Sequence, residues 1–113
     1  MLKGYDIDGV ISLGLRPAKI GSVIITGRSY QEAELTNQLL KGLDIDCPIY
    51  FAPWEIKHKT RLKSAEWKEE IIRRLGVERF FEDDPIQFDY IKLETNDLEL
   101  DLIHIKHNQL EIY

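Results

Sequence analysis

Gly21-Ser22-Val23-Ile24-Ile25-Thr26-Gly27 is apolar and β-branched through its centre and bounded by glycine at both ends. A strand with one wet face alternates apolar and polar residues. A run apolar at every position reads instead as a central parallel strand covered on both faces. On its C-terminal side the period changes. Ala33, Leu35, Leu39, Leu40 and Leu43 make a helical stripe over residues 29–43, and Ser29 with Glu32 resembles a capping box at its start. On the N-terminal side, residues 10–20 contain Gly14 and Pro17 and hold no helical period, so they read as a connection with a short helix near residues 17–20. Before it, residues 2–7 are strand-compatible and deliver Asp6 and Asp8 to a turn at Gly9.

The remainder repeats the alternation. Residues 48–52 read as a third strand closed by Pro53, and residues 54–63 as a polar, basic loop running into a helix over residues 64–75 that stops at Gly76. A fourth strand over residues 77–81 empties into Glu82-Asp83-Asp84-Pro85, and residues 86–93 suit a short helix. Residues 98–105 alternate as an edge strand does, with a phase slip at Leu102-Ile103, and residues 110–113 read as a hairpin return after a turn near His107-Asn108. Strands alternating with helices at this spacing predict an α/β fold: a three-layer, Rossmann-like, mainly parallel sheet in a single domain over residues 1–113. Ligands of such sheets bind beyond the C-terminal strand ends, where the acid pairs and Thr26 fall.

Composition narrows the classes of function. With 113 residues, 43% of them hydrophobic and 31% charged, the chain has the size and balance of one soluble domain. A net charge of -5 argues against a general nucleic-acid coat but leaves room for a local basic patch. The one cysteine, Cys47, excludes an internal disulfide and reads as a small hydrophobe. No leader-like segment or membrane-length apolar run is visible, which gives a cytoplasmic expectation and no membrane partner.

Four places carry candidate chemistry. Asp6 and Asp8, closed by Gly9, make an anionic pocket that can hold a divalent cation and still present a nucleophilic oxygen, although acid pairs beside glycine also occur in ordinary turns. Thr26-Gly27-Arg28 offers a hydroxyl for a phosphoryl oxygen, close backbone approach and a cation for an anionic substrate; a capped helix-entry loop is the plainer alternative. Lys68 shares a helix face with Ile71, Ile72 and Leu75 and so points inward towards a partner unless it snorkels past the rim. Lys63 is a second choice if the helix begins late. Asp83 and Asp84 are adjacent like charges that need either exposure or a metal.

In order, these pieces resemble the four signature motifs of the haloacid dehalogenase superfamily of phosphotransferases. Asp6-Ile7-Asp8-Gly9-Val10 is similar to the first, Ile25-Thr26-Gly27-Arg28 to the second, the helix opening at Lys68 to the third, and Phe81-Glu82-Asp83-Asp84-Pro85 to the acidic fourth. The resemblance implies a phosphatase that forms an aspartyl-phosphate on Asp6, with Asp8 as general acid/base. Thr26 and Lys68 would stabilise the transferring phosphoryl group. Gly27, Arg28 and Lys63 would serve the substrate, and Asp6, Asp8, Asp83 and Asp84 would hold Mg2+. Since dehalogenase-type relatives lack the second aspartate, Asp8 favours phosphoryl transfer.

Many relatives insert a cap domain, but only residues 9–25 separate Asp8 from Thr26, and residues 29–67 are consumed by a helix, a strand and a loop. A capless site is expected, covered by a bulky substrate or by a second copy of the chain. Beside it, residues 57–63 hold four cations and a histidine with no acid, a run that suits a phosphate-rich partner such as a nucleic-acid end, or is simply a solvated loop. Trp54 and Trp67 flank the run and suit either base stacking or packing. His104 and His107 make a poor metal pair, being three apart in strand-like sequence. The rival to an enzyme is a catalytically idle domain of the same fold that binds phosphate or a partner.

Overall fold

The computed structural model describes residues 1–106. Five strands, β1 (Lys3–Tyr5), β2 (Ser22–Ser29), β3 (Ile49–Ala52), β4 (Arg79–Glu82) and β5 (Asp101–His104), form one sheet in the order β3-β2-β1-β4-β5, and each neighbouring pair is parallel. Three helices follow the strands: α1 (Ala33–Gly42), α2 (Arg61–Leu75) and α3 (Pro85–Glu94). The α/β, Rossmann-like expectation holds. No described helix is long and apolar enough to cross a membrane.

Both faces of the sheet are covered, as the uninterrupted apolar run requires. Val23 and Ile25 pack with Ala65, Ile71, Ile72, Phe80 and Ile91 on the α2/α3 side, while Ile24 packs with Tyr5, Ile7, Ile11 and Leu40 on the other. Successive β2 side chains thus enter opposite cores. Burying one such aliphatic side chain is worth about 1.5–3 kcal/mol, so β2 anchors both layers. β1 lies between β2 and β4, where the strand order reverses, and this switch point leaves a crevice outside its carboxyl end.

Several local expectations shift. β2 does not stop at Ile25 but continues to Ser29, with an irregular register: Ile25 faces Tyr50 and Ser29 faces Ala52, so residues 26–28 stand opposite residue 51 alone. Such a bulge re-aims side chains without ending the strand. No helix forms at residues 17–20; the one turn in that connection is a 3-10 turn at Ile11–Leu13, because Ile11 belongs to the core whereas Ile20 is exposed. The capping box at Ser29 and Glu32 is present, closing a 3-10 turn (Tyr30–Glu32) that leads into α1. α1, however, buries Thr36 and Leu40 and leaves Leu35 73% and Leu39 39% exposed, so the inward stripe is rotated from the expected one. α2 starts a turn earlier than expected, since the Thr60 hydroxyl accepts from the Lys63 amide, and it ends at Gly76 in the left-handed conformation. β5 is the edge strand foreseen over residues 98–105. The strand expected over residues 110–113, its turn and His107 lie outside the described residues.

Candidate active site

β1 delivers Asp6 one residue beyond its last paired position, and the Asp6 amide still donates to the Phe81 carbonyl of β4 at 3.3 Å. The side chain is only 5% exposed. Its Oδ1 accepts from the Ile7 amide at 2.8 Å, and its Oδ2 accepts from Lys68 Nζ at 3.0 Å. Lys68 arrives from α2, 1% exposed, and donates also to Glu82 Oε1 and to Gln87 Oε1, both at 2.7 Å. An ammonium has three protons, so all of them are committed within the protein. Because α2 begins early, Lys63 sits exposed in its first turn and does not line the cleft. The inward lysine is Lys68.

Glu82 was not expected as part of the site. It is buried at the end of β4, its Oε1 on Lys68 and its Oε2 accepting the amides of Asp83 and Asp84, both at 3.1 Å. The readable signal was alternation: Phe80 and Glu82 are two apart and both buried. Asp84 takes a different place from the one expected. Its Oδ1 caps α3 through the Ile86 amide, while its Oδ2 accepts from Gln87 Nε2 and forms an ion pair with Arg61. The carboxylates that converge are Asp6, Glu82 and Asp83, with oxygens within 4.8 Å of one another.

Two details around Asp83 hold this arrangement. Gly9 has φ +78°, and a Cβ there would stand 1.9 Å from Asp83 Oδ2, so the absence of a side chain lets Asp83 close on the β1 turn. His104, stacked on Phe88 at 4.6 Å, donates from Nε2 to the Asp83 carbonyl at 3.0 Å, which fixes the other end of that residue.

Asp8 lies outside the carboxylate cluster. Arg28 grips it with two bonds, Nε to Oδ2 at 2.9 Å and Nη2 to Oδ1 at 2.6 Å, and is itself braced by Nη1 on Thr36. Those bonds hold the Asp8 carboxyl below the usual carboxylate range, against the opposing effect of partial burial. Asp6 moves the other way. Burial pushes it up to about 7 although Lys68 opposes the shift, and Glu82 adds to it. For Lys68 burial opposes the charge, but Asp6 and Glu82 together outweigh it and raise the pKa. Three converging carboxylates against the one ammonium of Lys68 leave an excess of negative charge, and all the converging ligand atoms are hard oxygens. That donor set suits Mg2+. Of the three, Asp6 and Asp83 line the cleft whereas Glu82 lies beneath it, so Asp6 and Asp83 would hold the ion.

The cleft above these groups has a volume of about 750 Å³. It is lined from the ends of β1 (Asp6, Asp8, Gly9), β2 (Gly27, Arg28), β4 (Asp83) and β5 (His104, Lys106), and from the first turns of α2 and α3. Thr26 is fully buried, its Oγ1 accepts the Arg28 amide at 3.0 Å, and it does not line the cleft. Of residues 57–63, Lys59, Thr60 and Arg61 line it. The run lacks acids in sequence but not in space, since Lys57 pairs with Glu55, Lys59 with Glu32 and Arg61 with Asp84. Trp54 and Trp67 pack edge to face at 6.3 Å, away from the cleft. Gln87, His104 and Lys106 were missed because each belongs to the site only through the fold, whereas Lys59 and Arg61 come from the basic run expected beside it.

Comparison with family models, with curated proteins and with solved structures finds no match for this chain.

Proposed function

We propose that the chain is a Mg2+-dependent phosphomonoester hydrolase of the haloacid dehalogenase type, working without a cap. The observation that carries this reading is Asp6: a nearly buried carboxylate at the carboxyl end of the switch-point strand, held by Lys68 on the floor of an open cleft. In the first step an Asp6 oxygen attacks phosphorus, the P–O bond to the substrate's alcohol breaks, and the departing oxygen takes a proton from the Asp8 carboxyl. In the second, water gives that proton back to Asp8 and attacks phosphorus, releasing inorganic phosphate and restoring the Asp6 carboxylate. Lys68 orients the nucleophile and offsets its acidic neighbours. Arg28 must leave Asp8 for this to occur, and an incoming phosphate is a natural alternative partner for its guanidinium. Mg2+ held by Asp6 and Asp83 would neutralise phosphoryl charge. The open cleft suits a bulky or polymeric phosphate ester, with Lys59 and Arg61 as the members of the basic run beside it.

The test is Mg2+-dependent phosphate release from an aryl phosphate and from phosphorylated oligonucleotides. Asp6→Asn is expected to lower kcat by on the order of 10³-fold or more, and undiminished turnover in that variant overturns the role of Asp6. A second reading, an idle phosphate-binding domain, is favoured by the two-bond grip of Arg28 on Asp8, which holds the needed acid ionised. Beryllofluoride binding without turnover of any phosphate ester would select it.

A further inference from the structure

We infer that the Ser64 hydroxyl is the donor that meets the phosphoryl group in the cleft, a role no motif assigns to it. The inference rests on the phosphoryl-transfer reading of the site. Ser64 lies four residues before Lys68 on α2, so both side chains leave the same face of that helix. It is 5% exposed, its surface opens on the cleft, and its Oγ has no hydrogen-bond partner among the described residues. A hydroxyl that reaches the cleft from an otherwise buried side chain, with no partner among the described residues, is the kind of group that a ligand satisfies.

The neighbouring donors do not fill this need. All three Lys68 protons go to Asp6, Glu82 and Gln87, and Thr26 is buried beneath the cleft surface. Opposite Ser64, the bulged part of β2 presents Gly27, where a Cβ would stand 2.5 Å from Ser64 Oγ and 2.8 Å from its Cβ. The glycine thus leaves the hydroxyl its place and keeps the gap between β2 and α2 narrow. Ser64 also sits in the first turns of a helix whose Thr60 cap uses the Lys63 amide, so the positive end of α2 faces the same space. Hydroxyl, helix end and β2 backbone converge where an anion would rest over Asp6.

The experiment compares wild type with Ser64→Ala. Inorganic phosphate binding is measured by calorimetry in Mg2+, kcat and KM on an aryl phosphate, and stability by urea unfolding. Alanine is the best helix former, so folding should be kept or improved. The expected result is an approximately tenfold weaker phosphate affinity with a matching loss in kcat/KM, at an unchanged or higher urea midpoint. Gly27→Ala, which crowds the hydroxyl from the other side, should weaken phosphate binding as well. Unchanged phosphate affinity in Ser64→Ala overturns the inference whether or not the chain turns over substrate. Phosphate binding that depends on Ser64 in a wild type without turnover supports Ser64 and overturns only the hydrolase reading. A wild type that does not bind phosphate at all overturns both.

Discussion

The site turns on the valence of one ammonium. Lys68 is enclosed by two carboxylates and one amide oxygen, and removing one partner of such a buried set is far costlier than losing a surface pair. Lys68→Met keeps the length and apolar character of the stem but leaves Asp6 and Glu82 facing each other. A loss of about 3–5 kcal/mol is expected by urea unfolding without metal. Added Mg2+ should recover part of it, since a divalent cation compensates the same charges; a variant as stable as wild type without metal contradicts the network. Lys68 was legible from its helical neighbours Ile71, Ile72 and Leu75, yet its partners were not. Glu82 reads in sequence as one more acid in a solvated turn until α2 brings a lysine across the sheet. Asp84 stands apart from the converging acids for a similar reason: Pro85 starts α3, and the residue before it is drawn into capping.

At the scale of elements, periodicity and caps were the readable part. The apolar run over residues 22–25 placed the interior strand β2, the Ser29/Glu32 box placed the 3-10 turn that leads into α1, and Gly76 placed the end of α2. Each depends on neighbours close in sequence. The bulge over residues 26–28 was hidden, because it exists only against β3, and so Thr26 moved from a presumed strand end to the buried interior of β2. The start of α2 was hidden as well, since Thr60 lacks the glutamate three positions on that completes a capping box. Thr60→Ala removes the bond to the Lys63 amide and is expected to cost about 1 kcal/mol in chemical denaturation. An unaffected midpoint would show that the helix does not rely on this cap. Farther along α2, Arg73 binds Glu69 on its own helix and reaches the Glu94 carbonyl at the end of α3 and Asp97 just beyond it. Arg73 holds the Asp97 carboxyl below its ordinary value. A depressed acid contributes stability above its unfolded pKa, about 3.9, and loses it as pH falls through the folded value. The stability gap between wild type and Arg73→Ala should therefore narrow below about pH 4; a gap that stays constant from pH 7 to pH 2 counts against the pair.

For the whole molecule, a cation held as proposed would tie together strands that are far apart in the chain, because Asp6 follows β1 and Asp83 follows β4. Binding to the folded state alone should raise the unfolding midpoint, by about 2.7 kcal/mol of added stability at a metal concentration one hundred times Kd. Thermal melts in Mg2+ and in EDTA should therefore differ for wild type and coincide for Asp83→Asn; equal melts for wild type exclude the site. The last consequence comes from the rim. Arg28, Lys59 and Arg61 are each already matched with a carboxylate of this chain, and the protein as a whole carries a net charge of -5. The phosphate ester proposed above would then meet little attractive field at this rim beyond that of Lys106. For such a ligand, encounter would gain nothing from charge attraction, and discrimination would begin only after arrival, when it must exchange places with acids that already occupy the cations it needs.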